Sequence, residues 1–140
     1  MTKFIEVKAK VKRPLSNGER KVMNETYIVD AMSVMEAETL VMNAITPLAD
    51  GEAVTYAIRK SNITEIVYDT DAEQWYRAKV NYIVIDEKSG VEKKSSVYYL
   101  IEADSFEDAF KNLKESLEGI VLDYEIANIS ESNIIDVILK

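Results

Sequence analysis

Cationic and aromatic side chains alternate with apolar ones in two stretches of the sequence, which run from Phe4 to Lys12 and from Trp75 to Val84. Period-two alternation predicts a strand with one polar face, so these side chains share one side of each strand. Cations neutralise phosphates, and aromatic rings stack on unpaired bases at about 1–3 kcal/mol per base. The predicted nucleic-acid-binding residues are Phe4, Lys8, Lys10, Lys12, Trp75, Arg77 and Lys79.

An ordinary solvated sheet face explains the same pattern, because scattered lysines are common on protein surfaces. In that interpretation Phe4 and Trp75 cover the edge of the core. The net charge of -8 does not exclude a polyanionic ligand, since a local basic patch can outweigh a distant acidic region. Residues 1–24 hold seven Lys/Arg against two acids, whereas residues 102–140 hold three against ten. Both interpretations stay open at the level of sequence.

Catalytic chemistry has little support in the sequence. The chain contains no histidine and no cysteine, which removes the commonest general base and the thiolate ligands and nucleophiles. Asp86 followed by Glu92-Lys93-Lys94 has the outline of a metal-dependent nuclease site, but so short a motif often arises by chance. Asp69, Asp71 and Glu73 lack the glycine and the distal glutamate of a calcium loop. We therefore expect no catalytic residue, no metal ligand and no cofactor.

Tyrosines and sheet edges supply two further hypotheses. Tyrosines in strands usually pack at the edge of a core, but a cleft between two halves of a chain could hold a nucleotide. An exposed sheet edge could instead pair two chains into a homodimer. The tyrosines concerned are Tyr82, Tyr98, Tyr99, Tyr56, Tyr68 and Tyr124.

The elements that must position these residues occur twice along the chain. A strand, a tight turn, a second strand and a helix run from Phe4 to Val41 and again from Trp75 to Leu113. Residues 18–41 align with residues 90–113 without a gap, and each helix begins after a serine suited to N-capping. We predict an α+β fold in which a duplicated β-β-α-β(-β) module forms a mostly antiparallel sheet with two helices.

The repeat gives the predicted domain boundaries. The first copy spans residues 1–68 and the second spans residues 74–140. The acidic connector 69–73 is too short for a free linker, so we expect the halves to form a single compact unit. If a pseudo-twofold axis brings the two opening strands together, their basic and aromatic residues would form one platform. Ser61-Asn62 marks a predicted break in the strand region that runs from Ala53 to Tyr68.

Six short segments of the sequence have a recognisable pattern: residues 25–31, Ser33, residues 36–38, residues 75–79, residues 86–93 and residues 135–137. Together they resemble a small family from gut Bacteroidetes and their phages that is described only as a domain of unknown function. The resemblance covers nearly the whole chain, implies a phage or mobile-element setting, and transfers no activity and no functional residue.

These observations together predict a non-enzymatic, phage-associated accessory protein that binds single-stranded nucleic acid on a basic and aromatic strand face. A nucleotide-binding, signal-sequestering protein and a protein-interaction module are the alternatives. The N-terminal residues do not have the pattern of a signal peptide, so we expect none, and no apolar run of the sequence reaches membrane-spanning length. The expected location is therefore the cytoplasm.

Overall fold

The computed structural model describes residues 4–48 and 52–139. Within them, the first copy of the repeat forms β1 (Phe4–Pro14), β2 (Arg20–Asp30), α1 (Val34–Ile45), a 3-10 turn (Thr46–Leu48), β3 (Ala53–Lys60) and β4 (Ile63–Val67). The second copy forms β5 (Trp75–Ile85), β6 (Glu92–Glu102), α2 (Phe106–Ser116), β7 (Asp123–Glu131) and β8 (Ile134–Ile138). The predicted α+β fold with a duplicated strand pattern is confirmed, as is the strand break at Ser61-Asn62.

The strands form two four-stranded sheets, in the orders β3-β1-β2-β8 and β4-β6-β5-β7. β1 pairs antiparallel with β2 and β3, and β5 pairs antiparallel with β6 and β7. The pairs β2/β8 and β4/β6 are parallel. Both sheets are therefore mixed and mostly antiparallel, and each position in one sheet has its counterpart in the other.

Each sheet takes its parallel edge strand from the other copy of the repeat. Two compact units result: unit 1, which comprises residues 4–48, 52–62 and 133–139, and unit 2, which comprises Ile63–Ser132. The units differ from the repeat boundaries at 1–68 and 74–140, because the repeat follows the order of the elements and the units follow strand pairing. The pseudo-twofold relation between the copies stays a prediction.

The short links before β4 and β8 explain this exchange. β2 and β3 both run antiparallel to β1, so they run in the same direction. A strand parallel to β2 must therefore start at the end of the sheet opposite the one where β3 finishes. Only Ser61 and Asn62 separate β3 from β4, and two residues span about 7 Å of extended chain. β4 cannot fold back across a strand-length of sheet, so β8 occupies the position beside β2.

Each unit has its own apolar core between its helix and one face of its sheet. In unit 1, residues from β1 and β2 pack with Ala37, Val41 and Ile45 of α1. In unit 2, residues from β5 and β6 pack with Ala109, Leu113 and Leu117. The helical spacing of Phe106, Ala109, Phe110, Leu113 and Leu117 predicts one apolar stripe along α2. This prediction is wrong at Phe106 and Phe110, which are 56% and 44% exposed. Only the face of the helix that carries Ala109 and Leu113 is buried.

Turns and helix caps occur where the sequence predicts them. The backbone N–H of Glu36 donates to Ser33 Oγ, and that of Asp108 donates to Ser105 Oγ, each at 3.1 Å. Gly18 and Gly90 have φ values of 86° and 70°. Side chains other than hydrogen disfavour this left-handed region, so the two hairpins need glycine at these positions.

Candidate nucleic-acid interface

Three lysines lie in a row on the face of β1 that points away from α1. Val7, Ala9 and Val11 of the same strand belong to the core under the helix, so the alternating residues Lys8, Lys10 and Lys12 share the opposite face. Lys10 is exposed, and the other two lysines are half-buried. Two residues of a strand rise about 6.7 Å. The row therefore presents cations at regular intervals along an extended line.

Phe4 and Trp75 do not have the exposed rings that stacking on a base requires. Their exposed fractions are 6% and 3%, and the Trp75 ring meets the Tyr68 ring edge-on with centroids 6.0 Å apart. This placement corrects the role that the sequence suggested for the two rings. Both occupy the first position of a strand, where alternation alone cannot show whether other parts of the chain cover a side chain.

An exposed aromatic ring does lie beside the lysine row, at Tyr56 of β3. The register between β1 and β3 shifts so that Lys8 faces Ala57 and Ala9 faces Thr55, which leaves Tyr56 in a β-bulge. Its side chain is 50% exposed, and the Nζ atom of Lys10 lies 5.5 Å from the ring centroid. We call the surface formed by Lys8, Lys10, Lys12 and Tyr56 the Lys-Tyr face.

The sequence indicates Tyr56 only as a member of the tyrosine set and not as part of the basic face. Strict alternation along β3 puts Val54, Tyr56 and Ile58 on one side of the strand. In the structure Ile58 packs against the core, whereas Val54 and Tyr56 are exposed. The bulge causes this change of side, and no residue type in the stretch indicates it.

A surface depression of about 490 Å³ adjoins this row. Glu52 contributes a carboxylate 3.7 Å from Lys12 Nζ, and the side chains of Val22 and Val54 are 58% and 57% exposed. The depression thus combines cations with exposed apolar surface, and removing that surface from water on ligand binding would be favourable. Its lining residues are Lys10, Lys12, Val22, Glu52, Ala53 and Val54.

Unit 2 has different residues at the corresponding positions. By their pairing registers, Asn81 matches Lys10 and Glu125 matches Val54, while Lys94 and Ser96 match Val22 and Asn24. Arg77 and Lys79, which the sequence singled out, are half-buried on the same face of β5. The single platform predicted from both opening strands stays a prediction.

A bonded polar network fills this part of unit 2. The Nδ2 group of Asn81 donates to Glu125 Oε1 at 3.1 Å, and the Ser96 hydroxyl donates to Asn81 Oδ1 at 2.7 Å. Lys94 Nζ lies 2.8 Å from Glu125 Oε1. The hydrogen bond from Lys94, with one from Asn81, lowers the pKa of Glu125. Asn81, Ser96, Lys94 and Glu125 therefore bond to one another, whereas the matching positions of unit 1 hold Lys10, Asn24, Val22 and Val54.

The helix side of unit 1 contains a second polar cluster. Arg13 binds the Glu25 carboxylate through Nε at 2.6 Å and Nη2 at 2.7 Å, and the Tyr27 hydroxyl donates to Glu25 Oε1 at 2.6 Å. Burial raises the pKa of Glu25, but the bonds from Arg13 and Tyr27 outweigh burial and lower it overall. Each group satisfies another, so this cluster is suited to stabilising the unit and not to binding a ligand.

Residues of the segment that resembled a metal-dependent nuclease site make other contacts in the structure. Lys94 pairs with Glu125, and the Asp86 carboxylate accepts a hydrogen bond from the backbone N–H of Lys88 at 2.9 Å. In residues 4–48 and 52–139, no group of three or more acidic, histidine or cysteine side chains is placed to hold a metal ion. Across the same residues, no helix has the length and apolar character needed to cross a membrane.

Comparison with known proteins identifies the family. A family model described as a domain of unknown function (DUF4494) matches residues 3–140. The chain belongs to this family. The match spans both units, and the family description assigns no activity to them. No curated protein and no solved structure matches the chain, so the geometry of the Lys-Tyr face is the basis for assigning a function.

Proposed function

We propose that this DUF4494 protein binds single-stranded nucleic acid on the Lys-Tyr face of unit 1. The observation that carries the proposal is the half-exposed Tyr56 ring beside three lysines aligned along β1. Proteins that bind single strands combine a basic track for the backbone with aromatic rings on which bases stack. Here both components lie on one surface of one unit.

The local charge supports an anionic ligand although the whole chain is acidic. Glu6 shares this side of β1, but its carboxylate is buried and paired with Arg59 Nε. Glu52 is exposed and lies near Lys12, so it is the carboxylate that competes most directly with a phosphate. Lys8 and Lys10 lie farther along the strand, towards its N-terminus. A linear polyanion suits such a row better than a compact anion does.

The accessible ring favours a single strand over a duplex. Bases in a duplex are stacked on one another and present only their edges in the grooves. A single strand can turn one base out onto an aromatic side chain without breaking base pairs. The resemblance to a family of Bacteroidetes and their phages supports a phage-associated, non-catalytic accessory role in the cytoplasm.

Equilibrium binding of a labelled single-stranded oligonucleotide, followed by fluorescence anisotropy over a salt series, tests the proposal. Each phosphate neutralised contributes about -0.7 to the slope of log K against log salt for single strands. Three lysines therefore predict a slope near -2. A duplex of the same sequence should bind more weakly. Absence of binding at low salt would overturn the proposed function.

Removing one charge gives a sharper version of the test. The variant Lys10→Ala should reduce the magnitude of the slope by about 0.7. The matched control is Lys88→Ala, which removes an exposed lysine from the turn of the second hairpin. An equal change of slope in both variants would show nonspecific attraction and would contradict a site on β1.

A further inference from the structure

The β-bulge that presents Tyr56 occurs in both units, but the bulged side chain differs. In unit 1 the register between β1 and β3 shifts between Lys8 and Ala9. In unit 2 the register between β5 and β7 shifts between Lys79 and Val80. Lys79 faces Asn128 and Val80 faces Ile126, so Ala127 is the residue left in the second bulge.

Because both units have the bulge, the bulge itself belongs to the fold, and the aromatic side chain at Tyr56 can be considered separately. Bulges bend a strand and re-aim a side chain, and they are frequent beside binding sites. Unit 2 forms the same bulge with alanine, so the backbone geometry does not require an aromatic side chain. In unit 1 the ring is half exposed, so much of its apolar surface lies outside the core.

We infer that Tyr56 is the residue on which a base of the ligand stacks, and that the equivalent bulge of unit 2, which holds Ala127, provides no second stacking position. This inference rests on the proposed function. It adds that Tyr56 is the stacking residue and that each chain binds one strand. The Nζ atom of Lys10 lies over the ring, 5.5 Å from its centroid, so a cation is within reach of the backbone of a strand whose base stacks on this ring. The equivalent of Lys10 in unit 2 is Asn81, which is engaged with Ser96 and Glu125.

The test compares a short single-stranded oligonucleotide with an abasic strand of the same length. Tyr56→Ala should weaken binding of the normal strand by roughly five- to hundredfold, which corresponds to the loss of one stacked base. Tyr56→Phe keeps the ring and should bind within about twofold of the unmodified protein. Neither variant changes a charge, so the salt slope should stay the same.

The abasic strand isolates stacking from attraction to phosphate. Because it has no base to place on the ring, it should bind the unmodified protein and Tyr56→Ala equally. Met35→Ala serves as a control for loss of an exposed side chain, since Met35 lies on α1 and is 79% exposed. Titration to saturation should give one short strand per chain.

The outcomes distinguish the two proposals. If the unmodified protein binds with the expected salt dependence but Tyr56→Ala binds equally well, the proposed function stands and the role of Tyr56 is overturned. Two short strands per chain would overturn the restriction to unit 1. If the unmodified protein does not bind the oligonucleotide, both proposals fail.

Discussion

Unit 1 has a partly buried ion pair where unit 2 has two valines. The side chains of Arg13 on β1 and Glu25 on β2 bond diagonally across the first hairpin, and the matching positions of the second hairpin hold Val84, which is 43% exposed, and Val97. Tyr27 and its counterpart Tyr99 are both buried. The Tyr99 hydroxyl lies 2.6 Å from the hydroxyl of Tyr82. The same backbone therefore tolerates two different solutions beneath its helix.

On the opposite face of each sheet, the network of bonded polar side chains is in unit 2. In unit 1 this face has accessible lysines and exposed valines, whereas in unit 2 the network around Glu125 satisfies its own polar groups. Turns, caps, bulges and exchanged edge strands are common to both units. Features that both units keep are those that folding requires, and features that only one unit has are the better candidates for function.

The exchanged strands give the largest expected effect. A fragment that spans residues 63–132 contains β4, β5, β6, α2 and β7, so its four-stranded sheet is complete. We expect it to fold alone, with a cooperative denaturant transition monitored by circular dichroism. A fragment that spans residues 74–140 lacks β4 and carries β8 without β2, so we expect it to be largely unfolded. Cooperative folding of the second fragment and not the first would contradict the unit boundaries.

The ion pair between the partly exposed Arg13 and the buried Glu25 gives the next largest effect. Arg13→Val should lower the free energy of unfolding by about 3 kcal/mol, because it leaves the Glu25 carboxylate buried without its cation. Adding Glu25→Val copies the residues of unit 2 and should recover most of that loss. Denaturant titration of the single and double variants measures both values. A double variant less stable than Arg13→Val would show that the pair has no apolar substitute.

The shared turn glycines should respond alike in the two units. Gly18→Ala and Gly90→Ala each force a side chain into positive φ, at a cost of about 1–2 kcal/mol. Open space surrounds both positions, so backbone strain and not a steric clash sets the cost. Urea denaturation of the two variants compares them directly. A large effect at one glycine only would mean that the two hairpins are not equivalent.

The smallest expected effect is a difference in pH dependence. The pKa of Glu25 is lowered in the folded state, so its ionised form contributes stability above the usual glutamate pKa of about 4.5. That contribution is lost as pH falls through the lower, folded-state value. The double variant Arg13→Val/Glu25→Val lacks it. Its stability should therefore fall less steeply than that of the unmodified protein between pH 5 and 3. Thermal unfolding over this pH range measures the difference. Equal pH dependence in the two proteins would show that ionisation of Glu25 does not contribute to stability.

Local features of this fold could be predicted from the sequence, and long-range ones could not. Glycine turns, capping serines and the alternation of polar and apolar residues depend on neighbouring residues, so the strands and helices of the duplicated module could be predicted. The sheet that β4 and β8 join depends on distant partners and on the length of the links at Ser61-Asn62 and Ser132-Asn133. The burial of Phe4 and Trp75, and the bulge at Tyr56, likewise arise from packing and register that alternation does not encode.

The two units share a fold, and we propose that unit 1 alone binds the ligand. The most direct test compares Lys8→Gln/Lys10→Gln with Arg77→Gln/Lys79→Gln in oligonucleotide binding over a salt series, because each pair removes two cations from equivalent strands. We expect the first pair of substitutions to weaken binding and to reduce the magnitude of the salt slope by about 1.4, and the second pair to leave affinity and slope nearly unchanged. Equal losses in the two variants, or a loss confined to the second, would contradict it.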